Sequence, residues 1–219
     1  MREHIIEQVI ETKIVAIVRG LPVEQVVPLA CALRDGGVTI MEVVFNQARP
    51  ETHVKTAEAI TAVRKACGES IHIGAGTVMT VQQLRLAQEA GAQFVVSPNC
   101  DAAIIQETRA RGLVSMPGCM TASECAAAHS HGADFIKVFP AGSLGPGYIE
   151  SISAPLNHLK FLAVGGVSIK NIPDFLRAGV CGFGIGGALA DKTLAAAGRF
   201  DEITDNARRY IKAVNGGLA

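Results

Sequence analysis

Short apolar runs alternate with longer amphipathic segments along the whole chain. Eight runs are rich in Val, Ile and Phe, as strands are, and they begin at Ile14, Thr39, His72, Phe94, Val114, Phe135, Lys160 and Cys181. The segments between them carry apolar residues three and four positions apart and end at glycine, which predicts helices. Strands this apolar suit a parallel sheet that is buried on both faces.

This alternation predicts an α/β fold, a single (β/α)8 barrel. The 219 residues lie near the lower end of the range for such barrels, about 200 to 250 residues. The expectation is one domain over residues 1–219, with an extra N-terminal helix before Ile14 and a closing helix through residues 207–213. An open doubly wound sheet is the alternative, but no G-x-G-x-x-G follows the first strand. Either architecture places ligands at the carboxyl ends of the strands.

Composition and charge restrict the partners. The chain is 49% hydrophobic, and its 20 Lys and Arg residues balance 20 Asp and Glu residues. It therefore lacks the net positive charge of most proteins that bind nucleic acid or acidic membranes. Residues 1–13 mix charged and apolar positions, unlike a signal peptide, and no later run has the length of a membrane span. We expect a cytoplasmic protein that binds neither nucleic acid nor membranes.

Residues that could bind a metal show no metal-binding pattern. The six cysteines are scattered through apolar segments without a CxxC pair, which favours buried free thiols over disulfides or a zinc site. His129 and His131 lie two positions apart in a predicted helix and therefore point to different sides. We expect no metal in the mechanism.

Two ionisable residues, Lys137 and Glu42, interrupt apolar strands. A lysine held among apolar groups has a lowered pKa, so its neutral amine can attack a ketone. A buried carboxyl with a raised pKa can both donate and accept protons during such chemistry. The alternatives are a lysine that reaches solvent or pairs with a carboxylate, and an ion pair of Glu42 with Lys137 or Arg19.

Glycine pairs after the last two strands are candidate anion contacts. Gly165 and Gly166 follow the seventh strand, and Gly186 and Gly187 follow the eighth. Exposed N–H groups near a helix start favour phosphate, although either pair alone can also be a tight turn. Arg19, at the end of the first strand, has a guanidinium that suits a carboxylate or phosphate, or a charge at the rim.

Seven motifs resemble, in order and over nearly the whole chain, those of the 2-keto-3-deoxy-6-phosphogluconate / 4-hydroxy-2-oxoglutarate aldolase family. They are IVAIVRG, EVVFNQ, GAGTV, VVSPN, MPGCMTASE, FIKVFPAGSLGPGYI and FLAVGGVSIKN. The resemblance implies a class I aldolase without a cofactor, built as a (β/α)8 barrel and assembled as a homotrimer. Its substrate would be a small phosphorylated keto acid, a 2-keto-3-deoxy-6-phospho sugar acid, cleaved to pyruvate and glyceraldehyde 3-phosphate.

The resemblance also implies roles for individual residues. Lys137 would form the Schiff base and Glu42 would be the general acid/base. The pyruvate half of the site would be lined by Thr77, Pro98 and Phe139, and the phosphate would lie on Gly165 and Gly166.

Departures from the family pattern bear on the substrate. Asn46 and Val164 stand where gluconate-type members commonly carry arginine and threonine, and Ala188 replaces a serine that contacts phosphate. These features resemble the 2-keto-3-deoxy-6-phosphogalactonate aldolase subgroup, in which Arg19 would supply the missing arginine's contact. Asn46 and Val164 would themselves be substrate-binding residues. Cleavage of 4-hydroxy-2-oxoglutarate to pyruvate and glyoxylate, a phosphosugar isomerase or epimerase, and a non-enzymatic sugar-acid sensor are the alternatives.

Overall fold

Nine parallel strands form one sheet in the computed structural model, which describes residues 2–216. They are β1 (Ile14–Val18), β2 (Ile40–Val44), β3 (His72–Gly76), β4 (Phe94–Val96), β5 (Val114–Met116), β6 (Gly118–Cys119), β7 (Ile136–Val138), β8 (Phe161–Val164) and β9 (Gly182–Ile185). The strand order is β5-β4-β3-β2-β1-β9-β8-β7-β6. Because the first and last strands are neighbours, the sheet curls round into a barrel.

Helices connect the strands on the outside of the sheet. Within the described residues they are α1 (Arg2–Thr12), α2 (Val23–Asp35), α3 (His53–Cys67), α4 (Val81–Glu89), α5 (Ala102–Ala110), α6 (Ala122–Ser130), α7 (Ala141–Leu144), α8 (Pro146–Ser153), α9 (Ile172–Arg177), α10 (Lys192–Ala196) and α11 (Phe200–Val214). Short 3-10 turns cover Pro50–Thr52 and Gly68–Ser70. None of the helices described is long and apolar enough to cross a membrane.

The sheet closes through a strand that is broken at Pro117. Strand β5 pairs with β4, whereas β6 pairs with β7. Backbone N–H groups of Phe135, Lys137 and Phe139 donate to the carbonyl oxygens of Ser115, Pro117 and Cys119. Proline has no N–H to donate, which accounts for the break at this position. The run expected from Val114 is therefore present, but as two short strands, so nine strands are formed instead of eight.

The inside of the barrel is apolar at its amino end. Large side chains from the strand starts fill it, among them Ile40, Phe94 and Phe135, and Ile5 and Val9 of α1 pack onto them. Helix α1 contacts β2, β5 and β9, so it covers this end of the barrel. The open end is the carboxyl end, as the sequence predicts for the site.

Side chains that could bind a metal are dispersed. The six cysteines are free thiols in the part of the chain described. Cys67, Cys119 and Cys125 are buried as expected, but Cys31, Cys100 and Cys181 are partly exposed. The exposed ring of His129 packs edge-on against His158 with centroids 5.0 Å apart, and residues 2–216 hold no cluster of three potential metal ligands.

Candidate active site

Lys137 lies inside the barrel at the centre of β7. Its neighbours Ile136 and Val138 point outward to the helices, while Lys137 shares the inner face with Phe135. Only 7% of the residue is exposed. The Nζ atom donates a hydrogen bond of 3.3 Å to the carbonyl oxygen of Ser97 and lies 5.0 Å from the centre of the Phe139 ring. This lysine is held within the barrel and does not extend to solvent.

Glu42 lies on the inner face of β2, and 3% of it is exposed. Its Oε2 atom is buried and has no hydrogen-bond partner among the described residues. Gly76, at the end of β3, gives the carboxyl its room, because a Cβ there would lie 2.7 Å from Cδ and Oε1 of Glu42. Gly76, the second glycine of the GAGTV motif, thus leaves space for the Glu42 carboxyl, whereas Gly74 leaves space for the Phe94 ring.

The two groups have pKa values displaced in opposite directions. Burial raises the pKa of the Glu42 carboxyl to about 7, against the opposing effect of the positive charges of Lys137 and Arg19. Burial lowers the pKa of Lys137, while the charge of Glu42 raises it and Arg19 lowers it further. No ion pair within 4.0 Å joins Glu42 to another described residue. Near neutral pH, Glu42 is therefore present in both protonation states.

A cavity of about 580 Å³ opens above these two residues at the carboxyl end of the barrel. Nearly all of the predicted site residues lie in its wall: Arg19, Glu42, Thr77, Pro98, Lys137, Phe139, Val164, Gly165, Gly166, Gly186 and Gly187. Below Lys137 and Glu42 the wall is formed by Val15, Val96, Met116 and Leu162. This apolar floor is the source of the desolvation that shifts both pKa values.

Asn46 lies elsewhere. It lines a second cavity of about 590 Å³ beside the first, which shares Arg19, Thr77 and Lys192 with it. The Oδ1 atom of Asn46 accepts a hydrogen bond of 3.1 Å from the backbone N–H of Ala48, so the side chain caps its own loop. The structure does not bring Asn46 into the wall that holds Lys137.

The glycine loops offer unpaired backbone donors. Among the described residues, the N–H groups of Gly166, Val167, Gly187 and Ala188 have no acceptor. The Gly166 carbonyl accepts a 2.9 Å hydrogen bond from Asn171 Nδ2, which fixes the first loop. Helices α9 and α10 begin several residues beyond the glycines. The N–H groups expected near helix starts therefore lie in the loops themselves, ahead of α9 and α10.

Backbone conformation at the site is specialised. Gly165 and Gly166 have φ of 85° and 77°, in the left-handed region that favours glycine. Thr77, a β-branched residue, has φ of 55°, a conformation that costs about 1–3 kcal/mol. Its carbonyl oxygen accepts a hydrogen bond of 2.6 Å from Gln47 Nε2, which helps to hold it there.

The cavity wall also contains two charged residues that were not predicted from the sequence, Asp191 and Lys192. Asp191 caps α10 by accepting hydrogen bonds from the N–H groups of Thr193 and Leu194. Lys192 is exposed, and its Nζ lies beside Gly20, where a Cβ would be 3.1 Å away. The sequence does contain a signal for Lys192. An aspartate soon after the glycine pair predicts a helix N-cap, and the residue after that cap begins the helix at the cavity mouth.

Known proteins share the sequence pattern and the fold of this chain. The profile of the KDPG and KHG aldolases, the phosphogluconate and hydroxy-oxoglutarate enzymes named above, matches residues 5–206. The chain belongs to this aldolase family. Among the relatives of this chain is a probable 2-dehydro-3-deoxy-6-phosphogalactonate aldolase of Rhizobium meliloti (strain 1021). The two sequences are 37% identical over 187 residues, which span 85% of each chain.

Other members of the aldolase family cover still more of the chain. A 2-dehydro-3-deoxy-phosphogluconate aldolase of Treponema pallidum (strain Nichols) is 33% identical over 214 residues, 96% of this chain and 97% of its own. A solved structure described as native KDPGal superposes with a TM-score of 0.83 at 30% identity, covering 92% of this chain and 94% of that one. The resemblance found in the motifs is confirmed at the level of the family and the fold.

Proposed function

We propose that this aldolase cleaves a 2-keto-3-deoxy-6-phospho sugar acid to pyruvate and glyceraldehyde 3-phosphate through a Schiff base on Lys137. The observation that carries the proposal is the meeting of a buried lysine of lowered pKa and a buried glutamate with a pKa of about 7 in one cavity. The relatives, phosphogalactonate and phosphogluconate aldolases by name, supply the substrate class.

The positions of the two groups support a sequence of proton transfers. The neutral amine of Lys137 attacks the C2 ketone, and loss of water leaves an iminium that can accept electrons. Glu42, as carboxylate, removes the proton of the C4 hydroxyl, and the C3–C4 bond breaks to release the aldehyde. The protonated Glu42 then returns a proton to C3 of the enamine. Hydrolysis of the new imine frees pyruvate and regenerates Lys137.

The wall residues divide between the two ends of such a substrate. We assign Arg19, Thr77, Pro98 and Phe139 to the pyruvate end and the unpaired N–H groups of the glycine loops to the phosphate, since all of them line the one cavity. Ala188 offers no hydroxyl there. This loss favours 4-hydroxy-2-oxoglutarate, which carries no phosphate, as a second substrate, in keeping with the name of the family.

The architecture fits a (β/α)8 barrel with an additional N-terminal helix if β5 and β6 are counted as one strand interrupted by Pro117. Residues 1–219 would then form one domain. Assembly as a homotrimer stays a prediction that rests on the resemblance. Location in the cytoplasm stays a prediction that rests on the pattern of charged and apolar residues along the sequence.

Trapping tests the proposal. Wild-type protein incubated with pyruvate and borohydride should gain one reduced adduct on Lys137, read by mass spectrometry of its peptides. Lys137→Arg should form no adduct and lose cleavage, because a guanidinium with a pKa above about 12 is never the neutral nucleophile. Lys160→Arg, which changes an exposed lysine just before β8, is the matched control and should behave as wild type.

The result separates the candidate functions. Conversion of the phosphosugar without release of pyruvate and without an adduct on Lys137 would remove the imine mechanism and leave the isomerase or epimerase. Neither turnover nor adduct in a folded wild-type protein would leave the sugar-acid sensor.

A further inference from the structure

We propose that Lys192 determines specificity for phosphorylated substrates by neutralising the phosphate charge beside the glycine loops. The inference rests on the proposed function for the identity of the substrate. Lys192 lies outside the seven motifs that carry the resemblance.

Two cationic side chains of the catalytic cavity, Arg19 and Lys192, are available to bind the anionic groups of a substrate. The wall of this cavity contains five charged side chains, namely Arg19, Glu42, Lys137, Asp191 and Lys192. Lys137 is consumed in the imine and Glu42 gains and loses a proton during turnover. Asp191 is engaged as the cap of α10. A 2-keto-3-deoxy-6-phospho sugar acid carries two anionic groups, the C1 carboxylate and the phosphate, so each remaining cation can serve one of them.

Arg19 and Lys192 both line the catalytic cavity. Strands β1 and β9 are neighbours, so the segments that follow them border one another at the carboxyl end of the barrel. Lys192 Nζ reaches Gly20, the residue after Arg19. Neither side chain forms an ion pair within the described part of the chain. A cation without an ion-pair partner is available to a substrate anion.

The position of Lys192 selects the phosphate over the carboxylate. The C1 carboxylate is attached to C2, the atom that bonds to Lys137 Nζ, so it must lie deep in the barrel. Lys192 is exposed at the mouth, at the first position of α10, and the loop before this helix carries the unpaired N–H groups of Gly187 and Ala188. Neutral N–H donors bind phosphate but leave its charge uncompensated, and the lysine ammonium supplies the missing charge.

A second group of cations offers a contrasting location for the phosphate. The neighbouring cavity contains Arg49 and Lys55 in addition to the shared Arg19 and Lys192. Lys55, on α3, is exposed like Lys192 but does not line the catalytic cavity. Replacement of Lys55 is therefore a matched control that removes one charge of the same kind from the same side of the barrel.

The experiment compares Lys192→Met, Lys192→Arg and Lys55→Met on the phosphorylated sugar acid and on the same acid without its phosphate. For Lys192→Met we expect the KM of the phosphorylated acid to rise about 10-fold or more, as loss of a charge-assisted contact implies. The values of kcat and of kcat/KM for the unphosphorylated acid should change less than about 2-fold. Lys192→Arg should restore most of the affinity, and Lys55→Met should match wild type.

Three results would overturn the inference. They are an unchanged KM in Lys192→Met, an equal loss on both acids, and a loss in Lys55→Met as large as that in Lys192→Met. Pyruvate trapping on Lys137 is run on every variant. Failure of trapping in wild type would instead refute the proposed function, so the two failures are distinguishable.

Discussion

Gly76→Ala tests whether the geometry of Glu42 sets the rate. The added methyl group would lie 2.7 Å from Cδ and Oε1 of Glu42 and 2.9 Å from Cγ2 of Val44. Gly76 does not have a positive φ, so its backbone conformation is one that alanine can adopt. The substitution therefore acts mainly through its contact with the carboxyl group of Glu42, the proposed proton carrier.

The contact distance gives the size of the effect. Ordinary van der Waals contact begins at 3.4 Å, so the carboxyl must move by about 0.7 Å. A misplacement of about 1 Å at a reacting group costs about 100-fold in rate. We therefore expect kcat to fall by about 10- to 100-fold. Overpacking of this kind lowers the free energy of unfolding by about 1–3 kcal/mol, which a barrel of this size tolerates.

The assay is steady-state release of pyruvate, measured in wild type, Gly76→Ala, Glu42→Gln and the double variant, with thermal unfolding as a check on folding. Glutamine keeps the size of Glu42 but transfers no proton. In the Glu42→Gln background, Gly76→Ala should cost less than about 3-fold, because the group displaced no longer contributes to the rate.

The double variant decides the matter. An equal loss of kcat from Gly76→Ala in both backgrounds would show a general distortion of the barrel. An unchanged kcat in the Gly76→Ala single variant would show that Glu42 does not depend on this position.

Two further predictions concern Glu42 and Val164. Glu42→Gln should lower kcat by about 100-fold or more and abolish the acid limb of the pH–rate profile, expected near pH 7 in wild type. Because the pKa of Glu42 is raised on folding, the native protein holds a proton that the unfolded chain releases between pH 4.5 and about 7. The free energy of unfolding should therefore fall over this window and not above it, and denaturant titrations of wild type against Glu42→Gln at pH 5 and pH 8 measure the difference; a constant difference would contradict the raised pKa. Val164→Thr should shift the ratio of kcat/KM values several-fold towards the gluconate epimer, since one new hydrogen bond is worth about 1 kcal/mol; an unchanged ratio would mean that Val164 only packs the barrel.

The strands and the two central residues were predictable because of how a parallel barrel is buried. Its strands have helices on one face and the interior on the other, so they stand out as apolar runs. An ionisable residue inside such a run, as Lys137 and Glu42 are, is equally visible. The runs expected from Ile14 and Lys160 begin within one residue of β1 and β8.

Other features depend on contacts between distant parts of the chain. Lys192 has the pattern of an ordinary solvent-exposed lysine, and only the pairing of β1 with β9 places it beside Arg19. Asn46 was expected at the substrate by its position after Glu42, but the chain turns into the second cavity at that point. The need for Gly76 is likewise a matter of register, because β2 and β3 place Val44 opposite it and Glu42 within reach.

Helix α1 makes the barrel a cup with one opening. Ile5 and Val9 close its base, and the floor beneath Lys137 is apolar. In the proposed mechanism, the water expelled when the imine forms and the water that later hydrolyses it would therefore use the same opening as the sugar acid. An aldehyde fragment in that opening would shield the enamine below it from solvent. We therefore expect the aldehyde to leave before the next water enters, an order of release that follows from the shape of the cup.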